Sequence, residues 1–107
     1  MNLPKVVSDL IATQNNFDSV AYANCFAETA VVYDEGKTHN GRKEIEHWIS
    51  DANARYEATI QPVSFEEKGL EIILKANTSG NFDGSPIVLI YHLEIADGLI
   101  QSLKVTG

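Results

Sequence analysis

The chain has 107 residues, 44% of them hydrophobic, with 15 acidic and 8 basic side chains and a formal net charge of −7. A chain of this length makes one domain, residues 1–107, around one core. The acidic balance excludes nucleic acid and an anionic membrane as partners, because both need a clustered basic face. The single cysteine, Cys25, excludes an internal disulfide and any multi-cysteine zinc site.

In chain order, Pro4 suits the first turn of a helix, and Val6, Val7, Leu10 and Ile11 follow on one face until Gln14-Asn15-Asn16 ends it. Asp18 or Ser19 can cap a second short helix that carries Val20, Ala23 and, at its exit, Phe26. Cys25 in that stretch reads as a buried, inert thiol. The start of the chain has no apolar leader, and no run approaches the ~20 residues needed to span a bilayer, so a cytoplasmic protein without membrane partners is expected. The β-branched run Ala30–Asp34 predicts a strand that ends on a carboxylate, followed by a polar loop with Gly36 and Gly41. A third helix is predicted from about Arg42 to Arg55, with Ile45, Trp48, Ile49, Ala52 and Tyr56 in one stripe. Trp48 is expected to anchor the core, and its indole N–H suits it to line a cavity as well. His47 flanks the stripe as a surface residue. Asp34 has two readings, a turn residue bonding nearby backbone N–H groups or a carboxylate placed for chemistry.

From Glu57 the spacing alternates. Four strand-like runs, about 57–66, 70–82, 85–96 and 99–106, are separated by Lys68-Gly69, Asp83-Gly84 and Asp97-Gly98, which predicts an antiparallel meander. Helices first and sheet second make an α+β domain, with the helices on one face of the sheet. If each dipeptide is a hairpin tip, Phe65, Ile72, Ile95 and Ile100 form one apolar row. Val63, Leu74, Leu93 and Ser102 form the next, then Gln61, Ala76, Tyr91 and Lys104, then Thr59, Thr78, Leu89 and Thr106. The polar end of this face is the expected cavity. Ile60, Ile73, Ile90, Leu103 and Val105 fall on the opposite face with His92 and Glu94, which predicts a homodimer through that face. A bulge in any strand would exchange part of the two sets.

Three helices with a strand between the second and third, followed by a curved meander, resemble the nuclear transport factor 2-like superfamily and, more closely, its SnoaL-like branch. The residues carrying the resemblance are the strand ending in Asp34, Asn40-Gly41-Arg42-Lys43-Glu44-Ile45 opening the third helix, Trp48, Ser79-Gly80-Asn81-Phe82 and Asp97-Gly98-Leu99-Ile100. The resemblance implies a cone with a cavity between three N-terminal helices and a concave sheet. It also implies activities such as ketosteroid isomerisation, polyketide cyclisation or dehydration, alongside members with no assigned reaction. Asp34 falls where the ketosteroid isomerases have their carboxylate base; the tyrosine those enzymes carry in the first helix and the acid in the third meander strand have no match here.

Two functional readings follow. In the first, the protein is a cofactor-free acid/base enzyme acting on a small apolar or carbonyl-containing molecule. Asp34 is then the candidate base, Tyr91 and Lys104 polarise the oxygen, and Tyr33, Trp48, Tyr56, Gln61 and Thr78 contact the ligand. In the second, the domain is a non-catalytic dimeric module that binds a ligand or a protein. No metal is expected, because His39, His47 and Asp34, the nearest such set, lack ligand spacing.

Overall fold

Helical spacing gives way to alternation near residue 57, and the computed structural model, which describes all 107 residues, has its helices and its meander on either side of that point. The elements are α1 (Lys5–Asn15), α2 (Ser19–Ala23), β1 (Phe26–Asp34), β2 (Lys37–Asn40), α3 (Gly41–Tyr56), β3 (Thr59–Lys68), β4 (Glu71–Ser79), β5 (Ile87–Ala96) and β6 (Leu99–Thr106). They form an α+β domain, with three helices on the concave face of one curved sheet of order β2-β1-β6-β5-β4-β3. The meander β3 to β6 is antiparallel. β1 joins it parallel to β6. The strand expected over Ala30–Asp34 begins earlier, at Phe26, and the polar loop after it forms the short strand β2.

The core is where the three apolar stripes meet the sheet. Val7, Phe26, Val32, Ile45, Leu74, Leu93, Ile100 and Leu103 are fully buried, each contributing about 1.5–3 kcal/mol of transfer free energy. Polar side chains fix the helices around it. Arg42 at the start of α3 donates from Nε and Nη2 to the Phe26 carbonyl, at 3.1 and 2.7 Å. The Asn40 N–H donates to Glu44 Oε1 at 2.8 Å, a side chain folded back on the first turn of α3. Asn15 at the end of α1 treats the edge of β3 as a strand would. Its Nδ2 donates to the Ile60 carbonyl at 3.0 Å and its Oδ1 accepts the Ile60 N–H at 2.8 Å. The polar run that ends α1 therefore ties this helix to the free edge of the sheet.

The register differs from the expected one at three places. The first hairpin turns on Gly69-Leu70, so Phe65 pairs with Leu74, and an extra residue between Pro62 and Ser64 reverses the faces beyond it. Ile60 therefore points inward and is buried, and Gln61 points outward. β4 and β5 are joined by a loop over residues 80–86 in place of an Asp83-Gly84 turn, which slides Ile72 opposite Leu93 and Thr78 opposite Ile87 without changing faces. Gly80 in this loop is required by close approach: a Cβ there would lie 2.6 Å from the Tyr56 carbonyl. The Asp97-Gly98 turn pairs Ile95 with Ile100 as expected, and then a bulge puts Glu94 opposite Ser102. Gln101 is the extra residue, and its Nε2 donates to the Ala96 carbonyl at 3.0 Å. Past that bulge Leu103 and Val105 move to the concave face, and Lys104 moves to the convex one.

Candidate functional site

Asp34 is the last residue of β1, opposite Lys37, and the hairpin between them turns on Glu35 and Gly36 at φ 51 and 74. Two successive residues of positive φ make the tight turn that matches strand twist, and Gly36 supplies it without strain. Strand alternation gives Asp34 the face of Ala30 and Val32, both buried, so the carboxylate projects toward the helices. There it meets a chamber of about 310 Å³ whose walls include Gln14, Tyr22, Trp48, Tyr56, Thr78 and Tyr91, with Ile49, Ile60, Leu89 and Val105 between them. The loop after β4 contributes Phe82, whose ring stands edge-on to Tyr56 at 6.2 Å. A smaller recess with Lys37, His39, Asp51 and Arg55 shares Asp34, Trp48 and Tyr56 with the chamber, so Asp34 borders both.

Electrostatics follow from that position. Burial holds the Asp34 carboxyl above its ordinary value of 3.8 and the neighbouring Glu35 adds to the effect, while the Trp48 indole, His39 and the Glu35 backbone N–H act the other way. Tyr91 is raised mainly by burial, partly offset by its hydrogen bond with Thr78 and reinforced by the charge of Asp34. The Thr78 and Tyr91 hydroxyl oxygens are 3.1 Å apart. One of them donates to the other, which leaves one O–H to be donated into the chamber. Tyr22 is 3% exposed and packs against Phe26 and Trp48 at ring distances of 5.5 and 6.1 Å, and its phenol hydroxyl, unlike its backbone, has no hydrogen-bond partner in the chain. Burial raises its phenol well above the usual value, with Tyr91, Cys25 and Asp34 adding to it, so its proton stays available to donate. His39 lies against the other side of Trp48, ring to ring at 5.5 Å.

The chamber thus gathers Asp34, Trp48, Tyr56, Thr78 and Tyr91 from the residues singled out in the sequence, and omits three. Lys104, opposite His92, lies on the convex face because of the bulge at Gln101, so it cannot polarise a ligand or hold the charge of Asp34. Gln61 is turned outward by the irregularity at Val63. Tyr33 precedes Asp34 and so faces the other way, 45% exposed. Tyr33 and Lys104 border a separate groove on the convex face with Glu71, His92, Glu94 and Ser102. Among the chamber residues not anticipated, Gln14 and Tyr22 bring polar side chains from the helices. Gln14 had a readable signal, a polar residue in phase with Val7, Leu10 and Ile11 on the apolar stripe of α1. Tyr22 follows no such pattern in a helix of five residues. Cys25 is buried, its Sγ 3.5 Å from the Ala21 carbonyl, and burial pushes the thiol up. No three His, Cys, Asp or Glu residues are grouped to hold a metal ion.

No protein-family model matches the chain, and no curated protein matches it. Among solved structures, a candidate polyketide cyclase from Sinorhizobium meliloti is 33% identical, with a TM-score of 0.93 over 97% of this chain and 95% of that one. A hypothetical protein of ketosteroid isomerase-like fold from Catenulispora acidiphila, solved with trimethylamine, is 19% identical with a TM-score of 0.88 over 99% and 87%. An epoxide hydrolase/cyclase-like enzyme of pyran ring formation in the polyether salinomycin is 21% identical, with a TM-score of 0.81 over 94% and 86%.

Proposed function

The chain belongs to the nuclear transport factor 2-like superfamily, in its SnoaL-like branch, and on that premise we propose that it is a cofactor-free acid/base enzyme acting on a small carbonyl compound held in the cone. The observation that carries the reading is the Asp34 carboxylate, half-buried at the wall of a mostly apolar chamber, with the Tyr22 and Tyr91 phenols inside it. Asp34 in its ionised form takes a proton from the carbon next to the carbonyl, and the electron pair moves onto the carbonyl oxygen. The phenols then stabilise the enolate by donating to that oxygen, and a proton returned to carbon, or attack by the enolate on a second carbonyl, completes an isomerisation or a cyclisation. Burial suits both partners to these tasks: it makes Asp34 a stronger base than a solvated aspartate and keeps the phenols protonated. A relative described as a candidate polyketide cyclase at 33% identity supports chemistry that begins with an enolate.

The test uses α-tetralone in D2O, with deuterium incorporation beside the carbonyl followed by NMR. The protein should accelerate incorporation over buffer, and Asp34→Asn, nearly isosteric, should reduce the rate to that of buffer while leaving the fold intact. Binding of α-tetralone without acceleration would leave the alternative, a module that binds and does not turn over. That alternative is favoured by the partial exposure of Asp34, which water reaches.

The reading includes a homodimer through the convex face of the sheet. Val31, Tyr33, Ile73, Val88 and Ile90 lie there, while Ile60, Leu103 and Val105 line the interior. Sedimentation at micromolar concentration should give twice the chain mass of 11.8 kDa; a species of 11.8 kDa alone would remove this part.

A further inference from the structure

Gln14 is 8% exposed, and its carboxamide is fixed by one contact: Nε2 donates to the Ala58 carbonyl at 3.0 Å. A carbonyl oxygen can only accept, so this contact settles which end of the amide is nitrogen. The other end, Oε1, accepts from no group of the chain. It is not sealed in either, since the one side-chain polar atom both fully enclosed and unpartnered is Asn53 Oδ1, so Gln14 Oε1 keeps accessible surface on a residue that lines the chamber. Asn15, the next residue, grips the Ile60 backbone at both its N–H and its carbonyl, so the end of α1 that carries Gln14 is held rigidly against β3. The result is an acceptor on a side chain nine-tenths buried, oriented in advance and set among apolar walls.

We infer that Gln14 is a specificity-determining residue whose Oε1 receives a hydroxyl proton from the ligand, so the substrate class is narrowed to hydroxylated, largely apolar carbonyl compounds. This rests on the proposed use of the cone as the binding site and adds a second point of recognition to it. The two kinds of polar group in the chamber are complementary. Tyr22 and Tyr91 offer protons and suit a carbonyl oxygen, whereas Gln14 offers only a lone pair and suits a group that donates. A chamber of about 310 Å³ is at the small end of ligand sites and holds a molecule of about two fused six-membered rings. A neutral ligand is implied at this end, because Gln14 carries no charge to meet one.

Calorimetric titration with α-tetralone, its ring-hydroxylated isomers and their methyl ethers tests this. The ethers keep the oxygen and lose the proton. At least one hydroxytetralone should bind about tenfold more tightly than its methyl ether and than α-tetralone itself. Gln14→Leu should bring the hydroxytetralone down to the affinity of its methyl ether, and Gln14→Met serves the same purpose should the leucine variant fail to fold. If every isomer bound no better than its ether, or if the leucine and methionine variants kept the preference, Gln14 would not be the acceptor although the cone still binds. If none of the compounds bound, the proposed site itself would fall, and this inference with it.

Discussion

At the closed end of the cone Phe26, Ile72, Leu93 and Ile100 meet across four strands, none of them more than 5% exposed; at the open end Gln14, Tyr22 and Thr78 are nearly as deep, at 8, 3 and 5%. Depth therefore does not separate the two regions. What separates them is partnership. Those four side chains of the closed end are carbon throughout and need no hydrogen bond, whereas the open end holds hydroxyls and an amide with hydrogen-bonding capacity unused, around a chamber of about 310 Å³. One sheet thus stores stability at one end and leaves reactive groups at the other, which gives a functional site a rigid support.

Leu93→Ala should sharpen this contrast most. It opens a cavity in fully packed surroundings and should lower stability by about 2–5 kcal/mol in denaturant titrations, without changing α-tetralone affinity where the protein is still folded. Tyr91→Phe should do the reverse. It leaves Thr78 without its partner, a cost of about 1 kcal/mol, but should slow deuterium incorporation on the order of 100-fold by removing a donor to the enolate.

Asp34→Asn is expected to raise stability at pH 7. The folded carboxyl is held above its unfolded value of 3.8, so the folded chain keeps a proton that the unfolded chain has already released, and stability falls as pH rises through that interval. The penalty is complete above the folded pKa and absent below pH 3.8, so thermal melts of the two proteins should converge in acid. For a half-exposed group the gain at neutral pH stays under about 1 kcal/mol. Lys104→Ala should have the smallest effect, within about 0.5 kcal/mol and with no change in deuterium incorporation, because Lys104 is exposed on the convex face. A large loss of activity in that variant would mean that the bulge at Gln101 is absent.

These cases also mark how far the sequence could be read. Helical stripes and Asp-Gly or Gly-containing turns made the order of elements legible, and the strand ending in Asp34 made its place legible, because each depends on residues near one another in the chain. The facing of Gln61 and Lys104 depended on single extra residues at Val63 and Gln101. An irregularity of one residue reverses every side chain beyond it, and nothing local announces it: Val63 and Gln101 read as ordinary strand residues. The seven residues 80–86 were compressed into a turn because Asp83-Gly84 resembles a hairpin tip; the need for Gly80 lies in the Tyr56 carbonyl, which is distant in sequence. Gln14 was legible as a position and not as a role, since a polar residue on an apolar stripe gains meaning only when Ala58 and the chamber are seen beside it.

The claim on which all of this turns is that Asp34 faces a chamber from which water can be displaced. Titrating the Asp34 carboxyl carbon by NMR, with and without saturating α-tetralone, measures that directly. The midpoint should lie above 3.8 in the free protein and move further up when the ligand fills the chamber. A midpoint at or below 3.8 that the ligand leaves unmoved would place the carboxylate in open water and contradict the account.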